Sequence, residues 1–147
     1  LGLRRVYDGL QHDYTAPNAG RPLYADFLDE AAALLERPSL GALAADARAL
    51  GERWGQLTRT IAEADDEAVR EGCAISDARA ELLDAGEEDL DALPTRMRAL
   101  HAERDGRAER CALGGEAAKA LFRELAAQVR GIAEAERTLV ERIADAR

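Results

Sequence analysis

Apolar residues recur most regularly over residues 40–61. Leu40, Leu43, Ala47, Leu50, Trp54, Leu57 and Ile61 follow at alternating steps of three and four. That alternation is the a/d seam of an amphipathic helix, and it turns Asp46, Arg48, Glu52, Arg53 and Arg59 away from the seam. A second seam runs through a long helix expected over 116–146, with Phe122, Leu125, Val129, Ile132, Glu136, Leu139 and Ile143 in the same rhythm. Glu136 stands there where an apolar residue is expected.

The rest of the chain reads as shorter helices. Leu3, Val6, Tyr7 and Leu10 predict a lead-in helix within 1–14, and the TAPNAGR run predicts a loop over 15–21. Pro22 suits the first turn of the next helix. Leu23, Phe27, Leu28, Ala31, Leu34 and Leu35 are its expected buried face, with Asp26, Asp29 and Glu30 near its amino end, where the helix dipole favours them. Pro38 is expected to stop this helix and Ser39 to cap the seam helix. Beyond Ile61, Asp65 or Asp66 can cap a helix through Val69, Cys73, Leu82 and Leu83, weakened by Gly72 and Gly86. The acidic run Glu87-Glu88-Asp89 is expected to face solvent. Leu90, Leu93, Met97 and Leu100 resume heptad spacing around Pro94, read as a helix start or kink. Asp105-Gly106 and Gly114-Gly115 mark a region expected to be a mobile loop. No run alternates with period two, so the chain is expected to be all-α. The architecture predicted is an antiparallel bundle of about five to six helices, two of them long and heptad-patterned, in one domain over 1–147, with 22–147 as the bundle proper.

Composition sharpens this in two respects. Aromatics are only 4% of the residues while hydrophobics are 47%, so the core must be built from Leu, Ala, Val and Ile. Ala-rich seams let helices approach closely but remove little apolar area per residue, which predicts moderate stability or reliance on a partner surface. The net charge of −9, with cations spread along every helix, argues against nucleic acid. No apolar run approaches the roughly 20 residues of a membrane span, so no membrane partner is expected and the location expected is cytoplasmic. The sequence opens on Leu1 without a Met, which suggests a fragment or a protein lacking its first residues.

Candidate chemistry is sparse. Cys73 and Cys111 have no CxxC partner and read as free thiols. A catalytic thiol needs a base nearby, and only His12 and His101 exist to supply one. Neither histidine sits in a Glu-x-x-His or His-x-x-x-His pattern, so no helix-borne metal site is expected. Phosphate loops, nucleophile elbows and Ser/His/Asp spacings are absent from the sequence, and no cofactor is expected. His101 reads as a surface residue. Glu136 either pairs with an Arg and fixes helix register or faces a substrate or partner groove. Tyr24 and Phe27 share a helix face that Trp54 can meet across an antiparallel helix pair. That cluster, with Asp26, is either an aromatic core patch or an anchor for another surface.

Residues 21–57, RPLYADFLDEAAALLERPSLGALAADARALGERWGQL, resemble the helical C-terminal domain of the butirosin biosynthesis protein H family. The likeness rests on Asn18–Gly20 as the Gly-containing loop, then Tyr24, Phe27, Leu28, Glu30 and Ala31, the break at Pro38, and Gly51 with Trp54. The opening LGLRRVYDGL resembles the short helix leading into that domain. The resemblance implies a domain that follows a cysteine-peptidase-like acyltransferase domain, which holds the nucleophile. No catalytic residue carries over to this chain. It further implies a non-catalytic domain or small subunit in bacterial natural-product biosynthesis, completing a partner's substrate pocket. Tyr24, Asp26, Phe27, Glu30, Trp54 and Glu136 are the candidates facing that partner or a small-molecule biosynthetic intermediate. Two alternatives stand beside it: the small subunit of a two-component enzyme of other chemistry, such as elimination-driven closure of an aziridine-type ring, and a homo-oligomeric helical module.

Overall fold

A computed structural model of the chain describes residues 2–13, 17–84 and 92–146. Its helices are α1 (Gly2–Gln11), a short 3₁₀ turn (Asn18–Gly20), α2 (Arg21–Leu34), α3 (Pro38–Ala62), α4 (Glu67–Asp84), α5 (Leu93–Ala108) and α6 (Gly115–Asp145). Among the described residues there is no strand, so the all-α bundle expected from the sequence is the fold. The two long members are α3 with 25 residues and α6 with 31.

Helix α3 is the axis. Its seam residues Leu43, Ala47, Leu50, Leu57 and Ile61 are buried, with Leu40 and Trp54 packed at the edge of the same core. Burying a Leu or Ile of this kind contributes about 1.5–3 kcal/mol. Helices α1, α2, α4 and α6 all pack on α3. The cross-links Gln128–Thr60, Arg53–Gly131, Trp54–Glu136 and Asp46–Arg142 run in opposite chain directions, so α3 and α6 are antiparallel. Arg21 and Pro22 meet Gly51 while Asp29 and Asp26 meet Arg48, so α2 is antiparallel to α3 as well.

Three helices carry proline at their first or second position, Pro22, Pro38 and Pro94, where the missing N–H leaves nothing unsatisfied. Pro38 therefore starts α3 rather than merely ending α2, and Ser39 lies inside the first turn behind an Arg37 cap. Asp66 takes the cap of α4: its Oδ1 accepts from the Val69 N–H at 3.0 Å, and its Oδ2 accepts from the Ala112 N–H at 2.9 Å. Burial works against its charge, yet those N–H groups and the Cys111 thiol prevail and hold its pKa below the usual carboxylate value.

Several boundaries differ from the sequence reading. The lead-in helix is Gly2–Gln11, and the loop expected over 15–21 already holds a 3₁₀ turn and the first residue of α2. Asp26 and Asp29 lie beyond the first turn of α2, out of reach of most of the dipole's effect, and are ion-paired with Arg48. Asp105 and Gly106 are interior to α5, so the connection to α6 is only 109–114. His101 is half-buried, with an Nε2 that has no partner among the described residues. Cys73 is buried in α4, whereas Cys111 is exposed in the connection. Gly86, the acidic run 87–89 and Leu90 lie outside the described residues.

The larger correction concerns which face is covered. On α2 the buried residues are Ala25 and Leu28, while Leu23, Phe27 and Leu34 are 76%, 60% and 82% exposed. The cause is the surface α3 presents. Gly41, Ala44 and Gly51 line it, and a Cβ on Gly51 would stand 3.3 Å from Arg21 Cβ and 3.4 Å from Pro22 Cδ. Two helices this close accept only small side chains between them, so the bulky residues of α2 turn outward. On α6 the buried row is Leu121, Leu125, Ile132 and Leu139, and Phe122 and Val129 lie outside it because, among the described residues, α6 packs closely on α3 alone.

Glycines separate these packing demands. A Cβ at Gly72 of α4 meets nothing within 4 Å. Gly72→Ala is expected to raise stability by about 0.5–1 kcal/mol through helix propensity. Gly51→Ala is expected to lower it despite the same gain in propensity, because Arg21 and Pro22 must move. Urea midpoints of the two variants with unchanged m-values check the opposite signs.

Candidate functional site

The six sequence-singled residues fall into two groups. Trp54 and Glu136 come together, and Arg21, which the sequence reading did not single out, completes them. Arg21 donates from Nε to Glu136 Oε1 at 2.9 Å and from Nη2 to Oε1 at 2.7 Å and Oε2 at 2.8 Å. Trp54 Nε1 donates to the same Oε1 at 3.1 Å. One half-buried carboxylate thus joins the first residue of α2, the middle of α3 and the second half of α6. Glu136 holds its seam position because it is satisfied by a fork and an indole N–H.

The local backbone explains how Arg21 gets there. Asn18, Ala19 and Gly20 carry φ of 52°, 56° and 68°, a left-handed run that swings the chain into α2. Asn tolerates this region and Gly adopts it freely, whereas Ala19 is strained. Asn18 is held against α3, where a Cβ on Gly55 would stand 3.0 Å from its Oδ1. Gly51 and Gly55 therefore form a notch in α3 that receives the turn and the start of α2.

The second group lies on α2. Tyr24 stacks on Phe27 with ring centroids 6.3 Å apart and planes at 22°. Tyr24 is half-buried against the core, and Phe27 faces outward. Asp26 pairs with Arg48 at 2.9 Å, and Glu30 is exposed. The ring contact made here is Tyr24 with Phe27; the Trp54 indole is turned to Glu136. Leu23, Phe27 and Leu34, with Glu30 among them, make an open apolar stripe along α2.

A third cluster escaped the sequence reading. Tyr7 OH donates to Asp77 Oδ1 at 2.8 Å, and His12, as its Nε2–H tautomer, donates to the same oxygen at 2.7 Å. The Tyr7 and His12 rings meet edge-on at 5.8 Å, and Cys73 lies one turn before Asp77 on α4. No motif links these residues, since the bonds join α1 to α4 across most of the first half of the chain. Burial, then the carboxylates of Asp77 and Asp8, push the Cys73 thiol up to about 12. Burial and Asp77 likewise raise Tyr7 above the ordinary phenol value. A nucleophilic thiol requires the opposite shift, so Cys73 is not set up as a nucleophile, and the bonds of Tyr7 and His12 to Asp77 clamp the amino-terminal segment to α4.

Among the described residues no group of His, Cys, Asp and Glu has the arrangement of a metal site, and no helix is long and apolar enough to cross a membrane. A family model described as a domain of unknown function (DUF4872) matches residues 19–88. The matched part begins in the 3₁₀ turn and contains α2, the notched helix α3 and α4. No curated protein matches the chain, and no solved structure does.

Glu136 and Cys73 are where this geometry is tested. Glu136→Ala leaves the Arg21 fork and the Trp54 N–H without their acceptor and is expected to cost about 1–3 kcal/mol. A double-mutant cycle with Arg21→Ala measured by urea denaturation should show clear non-additivity. Cys73 should stay unreactive to a disulfide reagent at pH 8 while Cys111 reacts, both thiols being titrated only in denaturant. The sign of the pH effect follows from the raised thiol value. Its contribution is complete below the ordinary value of 9.0 and is lost as pH rises towards about 12. Cys73→Ala should therefore flatten the fall of stability above pH 9, read from urea midpoints.

Proposed function

We propose that this chain is a non-catalytic helical domain or subunit of a bacterial natural-product biosynthetic enzyme. It docks on a cysteine-peptidase-like, acyltransferase-type partner in the cytoplasm and helps form the pocket for a small-molecule intermediate. The observation that carries the reading is the open stripe of Leu23, Phe27 and Leu34 on a helix whose opposite face is locked against α3. Apolar residues this exposed on a firmly seated helix are suited to be covered by another surface. The Arg21–Glu136–Trp54 junction supports the reading by holding the amino end of that helix in place. The same stretch carries the resemblance to the butirosin H-type helical domain. Chemistry by this chain alone finds little support, since its buried thiol is held protonated.

The test uses a photo-crosslinking residue at Leu23, Phe27 or Leu34, expressed in the bacterium that carries the protein, with Glu124 on α6 as the control position. A crosslink from the α2 positions to a cysteine-peptidase-like polypeptide is expected. Phe27→Ala and Tyr24→Ala, with unchanged thermal melting, should reduce its yield several-fold. Trp54→Ala should do so as well, by loosening the junction. Crosslinks only between copies of this chain would replace the proposal with a homo-oligomeric module. Turnover of a substrate by the isolated chain would also sink it.

A further inference from the structure

Helix α6 carries two apolar rows, and only one is used by the fold. Leu121, Leu125, Ile132 and Leu139 are buried against α3. Phe122, Val129 and Val140 form a second row on the outer side, 54%, 45% and 62% exposed. Their spacings of seven and eleven residues return to the same face after about two and three turns. A row of cations borders it: Lys119, Arg123, Arg130 and Arg137. Lys119 and Arg123 share Glu116, at 2.7 and 3.7 Å, whereas Arg130 and Arg137 have no ion-pair partner among the described residues. On the opposite border Glu136 is already engaged by Arg21. Glu134 and Glu141 stand four residues after Arg130 and Arg137, along the outer edge of the cationic row.

Near its amino end this face opens into a cavity. Phe122 forms one wall of an apolar space of about 480 Å³, with Leu3, Val6, Val69 and Leu113 as other walls. The row meets the cavity at Phe122, so a partner lying along α6 could place a large side chain in the hollow beside that ring.

We infer that the outer face of α6 is a docking surface for an acidic amphipathic helix of a partner protein. The apolar row receives the partner's apolar seam, the cavity receives an anchoring side chain, and the Arg row selects glutamate or aspartate along its border. Charge decides between partners. The chain as a whole carries −9, so Arg130 and Arg137, unpaired among the described residues, are a local exception in sign that favours acidic partners over basic ones. The same net charge opposes adsorption to an anionic bilayer, and a bilayer cannot enter the cavity as a single side chain can. This surface is separate from the α2 stripe, and its test does not involve the catalytic partner.

The probe is a fluorescein-labelled synthetic peptide of three heptads with a Leu/Ala seam and Glu at the flanking positions. Its counterpart has Lys at those positions. Fluorescence anisotropy with the full chain is expected to show binding of the Glu peptide only, weakened as salt rises from about 50 to 500 mM. Arg123→Glu, Arg130→Glu and Arg137→Glu together should reduce that affinity about tenfold or more. Val129→Asp should reduce it too, and Phe27→Ala should leave it unchanged. Circular-dichroism melts establish that the variants remain folded. Equal binding of both peptides, absence of binding, or indifference to the triple reversal overturns the inference. It is overturned equally if the chain co-sediments with phosphatidylglycerol vesicles through the same arginines. Self-association that protects Phe122 and Val129 would assign the face to a second copy instead.

Discussion

Everything in this bundle depends on how closely α2 can approach α3. Gly51 and Gly55 remove two side chains from the middle of α3, and the space they leave is filled by Arg21, Pro22 and Asn18. That close approach sets the start of α2, and Arg21 then reaches Glu136 on α6. One steric allowance in α3 thereby brings three helices to a single carboxylate. The left-handed turn Asn18–Gly20 is its backbone complement, since without it the chain could not enter α2 at the notch.

The same constraint decides which surfaces face outward. Ala25 and Ala44 are completely buried where α2 and α3 meet, and the larger residues of α2 are displaced to solvent. A small-residue contact between two helices thus exports apolar surface to the outside of the pair. Helix α6 arrives at a similar result by another route. Among the described residues it has a single close neighbour, and its apolar arc is wider than that neighbour covers. The chain presents two separate apolar rows, one bordered by Asp26 and Glu30 and the other by arginines.

The legibility of the sequence follows from these facts. Helix α3 could be read almost residue for residue, because a helix surrounded on several sides buries its seam whatever the neighbours are. Helix α2 was readable as a helix but not as to its face. Leu23 and Phe27 outweigh Ala25 in any count of hydrophobicity, and the reason they lose lies in Gly51, on another helix. In α6, Leu125, Ile132 and Leu139 were legible, whereas Phe122 and Val129 were assigned inward because one seam was assumed to be fully covered. Glu136 stood out as a polar residue in an apolar rhythm, yet its partner Arg21 is 115 positions away. Tyr7, His12 and Asp77 gave no signal, since hydrogen bonds between distant helices leave no spacing to detect.

Among the described residues helix α6 is a long arm resting on one support, α3. Opening it would uncover the α3 row it covers and break the Arg21 and Trp54 bonds, yet leave the contacts among α1 to α4 in place. Such a segment behaves as its own cooperative unit, with an opening free energy below that of global unfolding. Glu136 makes the arm's position felt elsewhere: when α6 lifts, Arg21 loses its anchor and the amino end of α2 is freed. Whatever stiffens the arm therefore also stiffens the far side of the molecule, which couples the two apolar rows through one shared carboxylate.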